Sequence, residues 1–288
     1  MNLAELRLQY VKELEDLYTK EEIRIFFNWI CEHYLGLKPF EISLKGKQTV
    51  KPEELPYFEK ALSELKFEKP IQQILGKSHF YGLEFKVNEH TLIPRPETEE
   101  LVSMIIEDYK SRSEPIRILD IGTGTGCIPI SLAKHLNQAQ LYAIDISPQA
   151  LKVAKDNAIQ NQVVVKFGEI DILKASLLSN LFTAVDQFDV IVSNPPYVRV
   201  SEKTAMKANV LKYEPDSALY VSDDNPLLFY DQITKLAAGH LKEKGRLYFE
   251  INQYLGAQTK ALVSEAGFNE VEVIKDGFEN DRMLRAVR

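Results

Sequence analysis

Apolar residues recur at helical spacing at the start of the chain. Leu3, Leu6, Tyr10, Leu14 and Leu17 fall three or four residues apart, and Ile23, Phe26, Phe27, Ile30 and Tyr34 form a second stripe behind Lys20, Glu21 and Glu22. Leu35-Gly36-Leu37-Lys38-Pro39 ends that helix with a glycine and then a proline. A third helix is expected from near Pro52 through Tyr57, Ala61 and Leu65. Residues 1–70 therefore read as a small helical domain. The aromatic stripe and Trp29 are expected in its core, with an exposed docking face as the alternative.

Beyond residue 70 the period changes. His79 to Val87 has strand composition broken by one glycine and reads as a hairpin, so 71–94 is expected to link two domains. Pro96, followed by Glu97, Glu99 and Glu100, suits the first turn of a helix, although a plain linker and cap fits as well. Strand-like and helical runs then alternate over 95–288. Strands are read at Arg117 to Ile121, Gln140 to Asp145, Val163 to Phe167, Phe188 to Ser193 and Gly245 to Ile251. Helices are read through Leu132 and Leu136, and over Pro148 to Gln160, Leu173 to Thr183, Pro226 to Leu241 and Ala257 to Ala266. Val271 to Ile274 and Met283 to Val287 read as a terminal hairpin. Such alternation predicts an α/β domain with a parallel sheet and right-handed crossovers. The stretch from Tyr197 to about Asp224 interrupts it. A connection of that length in a compact domain is usually functional or disordered, and a flap facing substrate is expected.

Composition narrows the field. The 288 residues fit two domains. Lys and Arg number 35 against 42 Asp and Glu, a net charge of -7, which makes the chain a poor default for gripping phosphate backbones unless it carries a local basic patch. The 2 cysteines, Cys31 and Cys127, fall in different expected domains, so a disulfide framework is not expected and a reducing cytosol fits. The start, Met1 to Glu5, carries acid and no apolar signal region, and no apolar run reaches membrane-spanning length. None of the 5 histidines pairs with Cys or carboxylate at a metal-ligand spacing, so no metal is expected.

Two stretches carry candidate chemistry. In the first, the strand ending Asp120-Ile121 runs into Gly122-Thr123-Gly124-Thr125-Gly126 and then a helix, a loop that lets a ligand approach the backbone. Asp145 ends the next strand, placed to bind a ribose diol. A dinucleotide fingerprint starting at Gly122 would need glycine at 127, where Cys127 stands. Asp120, just ahead of the loop, would repel a pyrophosphate and suits a cation such as the methionine ammonium of S-adenosylmethionine. Asp171 is placed for an adenine amino group, or equally for a helix N-cap.

The second is Asn194-Pro195-Pro196-Tyr197, which follows a buried strand. Each proline fixes its own φ and removes an N–H, and Asn194 before Pro195 is pushed extended. The Asn194 side-chain oxygen and the Pro195 carbonyl can each accept one hydrogen of an NH₂ group, with Tyr197 over its flat face. A Pro-Pro turn with Tyr197 in the core is the plain alternative.

Taken together, the chain resembles the protein-(glutamine-N5) methyltransferase family that modifies peptide chain release factors. The resemblance covers nearly the whole chain and rests on Ile93 to Glu99, Asp120 to Gly126, Asp145, Asn194 to Tyr197, Tyr213-Glu214-Pro215 with Ala218-Leu219, and Asp281-Arg282. It implies a class I methyltransferase domain, Rossmann-like, with a seven-stranded, mostly parallel sheet, behind a small helical domain and a hairpin linker. It also implies that Gly122 to Gly126, Asp145, Ile172 and Asn194 contact S-adenosylmethionine. Asn194, Pro195, Pro196 and Tyr197 would hold the glutamine of a Gly-Gly-Gln loop in a release factor, which the helical domain would recognise. Ile172 stands where some members have an aromatic, Asn252 where glycine is common, and residues 221–225 replace a glycine-rich stretch. The alternatives are a glutamine methyltransferase of a ribosomal protein, a DNA adenine-N6 methyltransferase, and a non-catalytic cofactor-binding assembly protein. A cytoplasmic monomer with no direct nucleic-acid contact is expected.

Overall fold

The computed structural model describes residues 1–175, 182, 185, 187–205 and 208–288. In chain order the first elements are α1 (Leu3–Leu14), α2 (Lys20–Leu35), α3 (Pro39–Leu44), α4 (Leu55–Lys66), α5 (Ile71–Leu75), β1 (Lys77–Phe80), β2 (Leu83–Lys86) and α6 (Pro96–Tyr109). Then come β3 (Ile116–Ile121), α7 (Cys127–His135), β4 (Ala139–Asp145), α8 (Pro148–Gln160), β5 (Val165–Glu169), β6 (Phe188–Ser193) and β7 (Val198–Arg199). The last are α9 (Ala208–Tyr213), α10 (Asp216–Leu219), β8 (Tyr220–Val221), α11 (Leu228–His240), β9 (Leu241–Glu250), α12 (Gly256–Glu265), β10 (Asn269–Lys275) and β11 (Asp281–Val287).

One compact unit holds Met1–Gly76 together with α9. Asn2 and Thr19 start α1 and α2 with capping boxes closed by Glu5 and Glu22. The expected stripes meet inside it: Leu3, Leu6, Tyr10 and Leu14 pack with Ile23, Phe27, Ile30 and Phe58. The Tyr10 ring stands edge-on to Phe27 at 5.3 Å, and its hydroxyl donates to the Phe58 carbonyl at 2.6 Å, so the polar tip is satisfied in the core. Two expectations are corrected. Leu17 lies past the end of α1 and is exposed, and Trp29 is 41% exposed, turned away from the buried stripe of α2. The third helix starts at Leu55 rather than near Pro52, and α3 and α5 are too short to show a period. Helix α9 joins this unit through Tyr213, whose carbonyl accepts from Gln73 at 2.8 Å and whose hydroxyl donates to Phe67 at 2.8 Å.

The second unit begins at Lys77. The hairpin β1–β2 belongs to it, because Phe80 and Phe85 are buried in its core. Its main sheet, among the described residues, has seven strands in the order β10-β11-β9-β6-β3-β4-β5, parallel from β9 to β5, with β11 antiparallel to both neighbours. The alternation had implied its parallel part, and the seven-stranded, mostly parallel sheet is the one expected of the class I methyltransferase domain that the resemblance implied. Side chains alternate between its faces. Ile116, Ile118, Val190, Val192 and Tyr248 join the core of α6 and α7, whereas Leu119, Ile121, Ile191, Leu247 and Phe249 join that of α11 and α12. The stretch after Tyr197 is not featureless: β7 pairs in parallel with β8, around a 3₁₀ turn at Val200–Ala205 and the helices α9 and α10. The helix expected over Leu173 to Thr183 lies mostly outside the described residues; Ile172 to Lys174 form a turn.

Candidate active site

Strand order creates the site. From β3 the chain moves outward through β4 to β5, then β6 returns to the other edge of β3. A crevice opens at the C-terminal ends of the strands where the direction reverses. The Ser193 hydroxyl donates to the Ile121 carbonyl at 2.7 Å and ties the ends of β6 and β3 together. A cavity of about 300 Å³ lies there. Gly122, Thr123, Gly124, Thr125, Asp145, Asp171, Ile172, Asn194, Pro195 and Pro196 line it, whereas Asp120, Gly126 and Tyr197 do not.

The loop glycines divide by what a side chain would meet. A Cβ on Gly124, at φ +53°, enters open space, as a ligand's approach to the backbone requires. On Gly126, at φ +79°, it would press against Ile130 at 3.0 Å and Ala154 at 3.2 Å. Gly126 is therefore a packing glycine between α7 and α8, not a wall of the cavity. The loop is clamped by Asp145: Oδ2 accepts the Gly124 N–H at 2.8 Å and Oδ1 the Ser147 N–H at 2.9 Å. Burial raises the Asp145 pKa, and these N–H groups oppose the rise.

Asp120 is fully buried beneath the loop, on the sheet face of Ile116 and Ile118. Neither of its oxygens has a hydrogen-bond partner. Burial raises its pKa to about 7, opposed by the nearby Thr123 hydroxyl and helped by a smaller push from Asp145. A sealed carboxylate without a full set of hydrogen bonds is unfavourable alone and complementary to a cation. Burial also pushes the Cys127 thiol up to about 12, so it is neutral at pH 7. Asp171 lines the cavity, and its Oδ1 accepts the Leu173 N–H at 3.1 Å in a local turn, with Lys174 paired to Oδ2 at 2.9 Å.

At Asn194-Pro195-Pro196-Tyr197 the structure adds a residue that sequence reasoning missed. The Asn194 amide nitrogen donates to Glu250 Oε2 at 2.9 Å and to Thr98 Oγ1 at 3.2 Å. Thr98 donates its own hydroxyl to Glu250 Oε2 at 2.6 Å, and the Tyr197 hydroxyl donates to Oε1 at 2.8 Å. Sheet register brings them together. Val192 pairs with Tyr248 and Ser193 with Phe249, so Asn194 and Glu250 follow side by side. Both fall on the face covered by α6, whose first turn carries Thr98. The signal was available: Glu250 is the one carboxylate within Leu247-Tyr248-Phe249-Glu250-Ile251, a run otherwise fit for a buried strand. Burial raises the Glu250 pKa while the Thr98 and Tyr197 hydroxyls and Arg282 hold it down. Tyr197 is half-buried, with its ring packed against the α11 side of the core and its hydroxyl donating to Glu250.

The stretch expected as a flap reaches the cavity wall near Glu214. This buried carboxylate accepts the Ile93 N–H at 3.0 Å and pairs with Arg95 at 2.5 Å. Pro215, Ser217, Ala218 and Tyr220, just beyond it, line the cavity with Leu92, Pro94 and Arg95. Asn252, where glycine was expected, donates to the Tyr197 carbonyl at 3.0 Å and to Glu202 at 3.1 Å. Among the described residues there is no cluster suited to a metal ion, and no helix long and apolar enough to cross a membrane.

Comparison with known proteins bears on family and fold. The family model described as "Methyltransferase small domain" matches residues 98–216. A release factor glutamine methyltransferase of Flavobacterium psychrophilum is 47% identical over 287 residues, covering 99% of each chain. One of Bacteroides thetaiotaomicron is 41% identical over 97% of this chain and 98% of its own. Among solved structures, a methyltransferase from Pyrococcus furiosus shares the fold at TM-score 0.52 and 17% identity, over 78% of this chain and 96% of that one.

Proposed function

The chain belongs to the release factor glutamine methyltransferase family, and from that premise we propose that it methylates the side-chain amide nitrogen of a glutamine in a peptide chain release factor, within a Gly-Gly-Gln loop. When bound, S-adenosylmethionine supplies an electrophilic methyl on sulfur, so that an N–C bond replaces an S–C bond and one amide proton passes to water. Asp120 would face its ammonium, Asp145 its ribose and Asp171 with Ile172 its adenine, while the open positions at Gly122 and Gly124 leave the backbone approachable.

The observation that carries the reading is Asn194. Glu250 and Thr98 take hydrogen bonds from its amide nitrogen, which leaves its oxygen as the acceptor at the cavity. With the Pro195 carbonyl it offers two acceptors to the two hydrogens of an incoming amide. An amide nitrogen is a weak nucleophile because its lone pair is delocalised, so the residues act by orientation, which is worth about 7–11 kcal/mol. The same acceptors stabilise positive charge as it develops on nitrogen. The proton leaves after it becomes acidic, so no tuned base is required. The helical unit is assigned to recognition of the release factor, and the enzyme is expected to work as a cytoplasmic monomer without contacting nucleic acid.

The test offers release factor, ribosomal protein and DNA in parallel with methyl-labelled S-adenosylmethionine, followed by mass mapping. Label on the Gly-Gly-Gln glutamine is expected. Label confined to DNA or to a ribosomal protein would overturn the reading.

A further inference from the structure

We propose that Glu250 is a positioning residue that fixes which end of the Asn194 amide faces the substrate. The inference rests on the methyl-transfer reading above. An asparagine amide can turn by half a revolution at almost no change in shape, yet the turn exchanges an acceptor for two donors. Only the oxygen-out orientation accepts a hydrogen from an incoming NH₂; the reverse sets donor against donor.

Three donors converge on the Glu250 carboxylate: Asn194 at 2.9 Å, Thr98 at 2.6 Å and Tyr197 at 2.8 Å. With the Thr98 and Tyr197 hydroxyls donating one to each oxygen, the carboxylate is the acceptor on both sides, so the Asn194 group turned toward it is the NH₂. Thr98 enforces the same choice. Its hydroxyl hydrogen is given to Glu250, so only its oxygen's acceptor capacity remains, and Asn194 uses it at 3.2 Å. Turning the amide over would place an oxygen against both acceptors, with Glu250 buried behind Asn194 and Thr98 at the cavity wall. Tyr197 holds the other carboxylate oxygen, which prevents the carboxylate from rotating to accommodate the turn. Glu250 is 1% exposed and does not line the cavity, so it acts through Asn194 and not on substrate.

The test is Glu250→Gln, which keeps the shape and replaces one acceptor by a donor. Whichever way the new amide sits, either Tyr197 or the Asn194–Thr98 pair meets a donor. The expected result is a kcat about 100-fold lower, with the KM for release factor and the calorimetric Kd for S-adenosylmethionine both within about threefold of the parent. Thr98→Val should lower kcat about tenfold, and Thr98→Ser, which keeps the hydroxyl, should recover most of that loss. A second readout needs no turnover. In protein carrying ¹⁵N-asparagine, the Asn194 side-chain signals, identified by their loss in Asn194→Ala, should show slow hydrogen exchange and lose that protection in Glu250→Gln. Parent-level kcat in Glu250→Gln, a loss of kcat matched by an equal loss of cofactor affinity, or unchanged Asn194 signals would each overturn the proposal. Because those signals are read without substrate, a wrong assignment of the substrate and a wrong assignment of Glu250 give different results.

Discussion

A carboxylate sealed from water with too few hydrogen bonds is held in the folded protein at a cost that depends on pH. Asp120 is such a group, its pKa raised from the ordinary 3.8 to about 7. For an acid with a raised folded-state pKa, the stabilising contribution is complete below about pH 4 and is lost as pH rises through about 7. Without cofactor, Asp120→Asn should therefore match the parent in urea unfolding at low pH and exceed it at pH 8, by up to about 4 kcal/mol. The same substitution should weaken S-adenosylmethionine binding, because the counter-charge is gone. Equal unfolding midpoints for the two proteins at pH 8 would contradict a buried, unpartnered Asp120. Asn194→Ala tests the other side of the cavity. Turnover should fall by at least about 100-fold with a smaller loss of cofactor affinity, as measured by single-turnover kinetics and calorimetry. At this scale the sequence was legible where a residue type was odd for its place, as with Asp120 before a glycine loop or Asn194 before two prolines. Glu250 escaped because its place depends on register with β6, and the bond from the Tyr197 hydroxyl escaped because a hydroxyl's partner cannot be read from chain position.

Elements were legible where one local rule dominated. Helix α8 runs over the expected Pro148–Gln160, with Ser147 as its cap, and β6 runs over the expected Phe188–Ser193 because every side chain in it is buried. Strand β9 begins at Leu241, several residues earlier than its pattern suggested. The added segment, Lys242-Glu243-Lys244, is charged and carries no apolar signal. It extends the strand at a register shift, with Lys242 paired to Asp189 at 2.8 Å. The loop between β3 and α7 shows how an element can need glycine for two reasons. Both Gly124 and Gly126 sit at positive φ, so alanine is strained at either place by about 1 kcal/mol. Only at Gly126 does the new methyl also collide, with Ile130 and Ala154. Gly126→Ala should therefore lower the unfolding temperature more than Gly124→Ala. Gly124→Ala should weaken cofactor binding more, because its methyl enters the cavity. Thermal unfolding and calorimetry on the pair check both orderings, and a reversed order in either would refute the division.

For the whole molecule, alternation of strands and helices was enough to predict the parallel sheet, but not the place of β11. Its insertion between β9 and β10 is a choice among long-range pairings that no local pattern encodes. The buried clusters are likewise a property of the complete chain. That of the helical unit, around Phe27, shares no residue with the two that sandwich the main sheet. Truncation of Phe27, which has no exposed surface, should remove about 3–5 kcal/mol from the unit that contains it. That is a large part of the roughly 5–15 kcal/mol that stabilises a typical domain. Trp29, the only tryptophan, lies in the same unit, so its fluorescence reports unfolding there. Calorimetric titration with S-adenosylmethionine instead reports the cavity at the ends of β3, β4 and β6. In Phe27→Ala the fluorescence transition should move to markedly lower denaturant while the cofactor Kd, measured well below that transition, stays within about twofold. Methylation of release factor should fall with the fluorescence signal, because recognition is assigned to the unit that has loosened. A cofactor affinity that declined in step with the fluorescence would mean that the cores fold as one, and the division of labour between recognition and methyl transfer would fail with it.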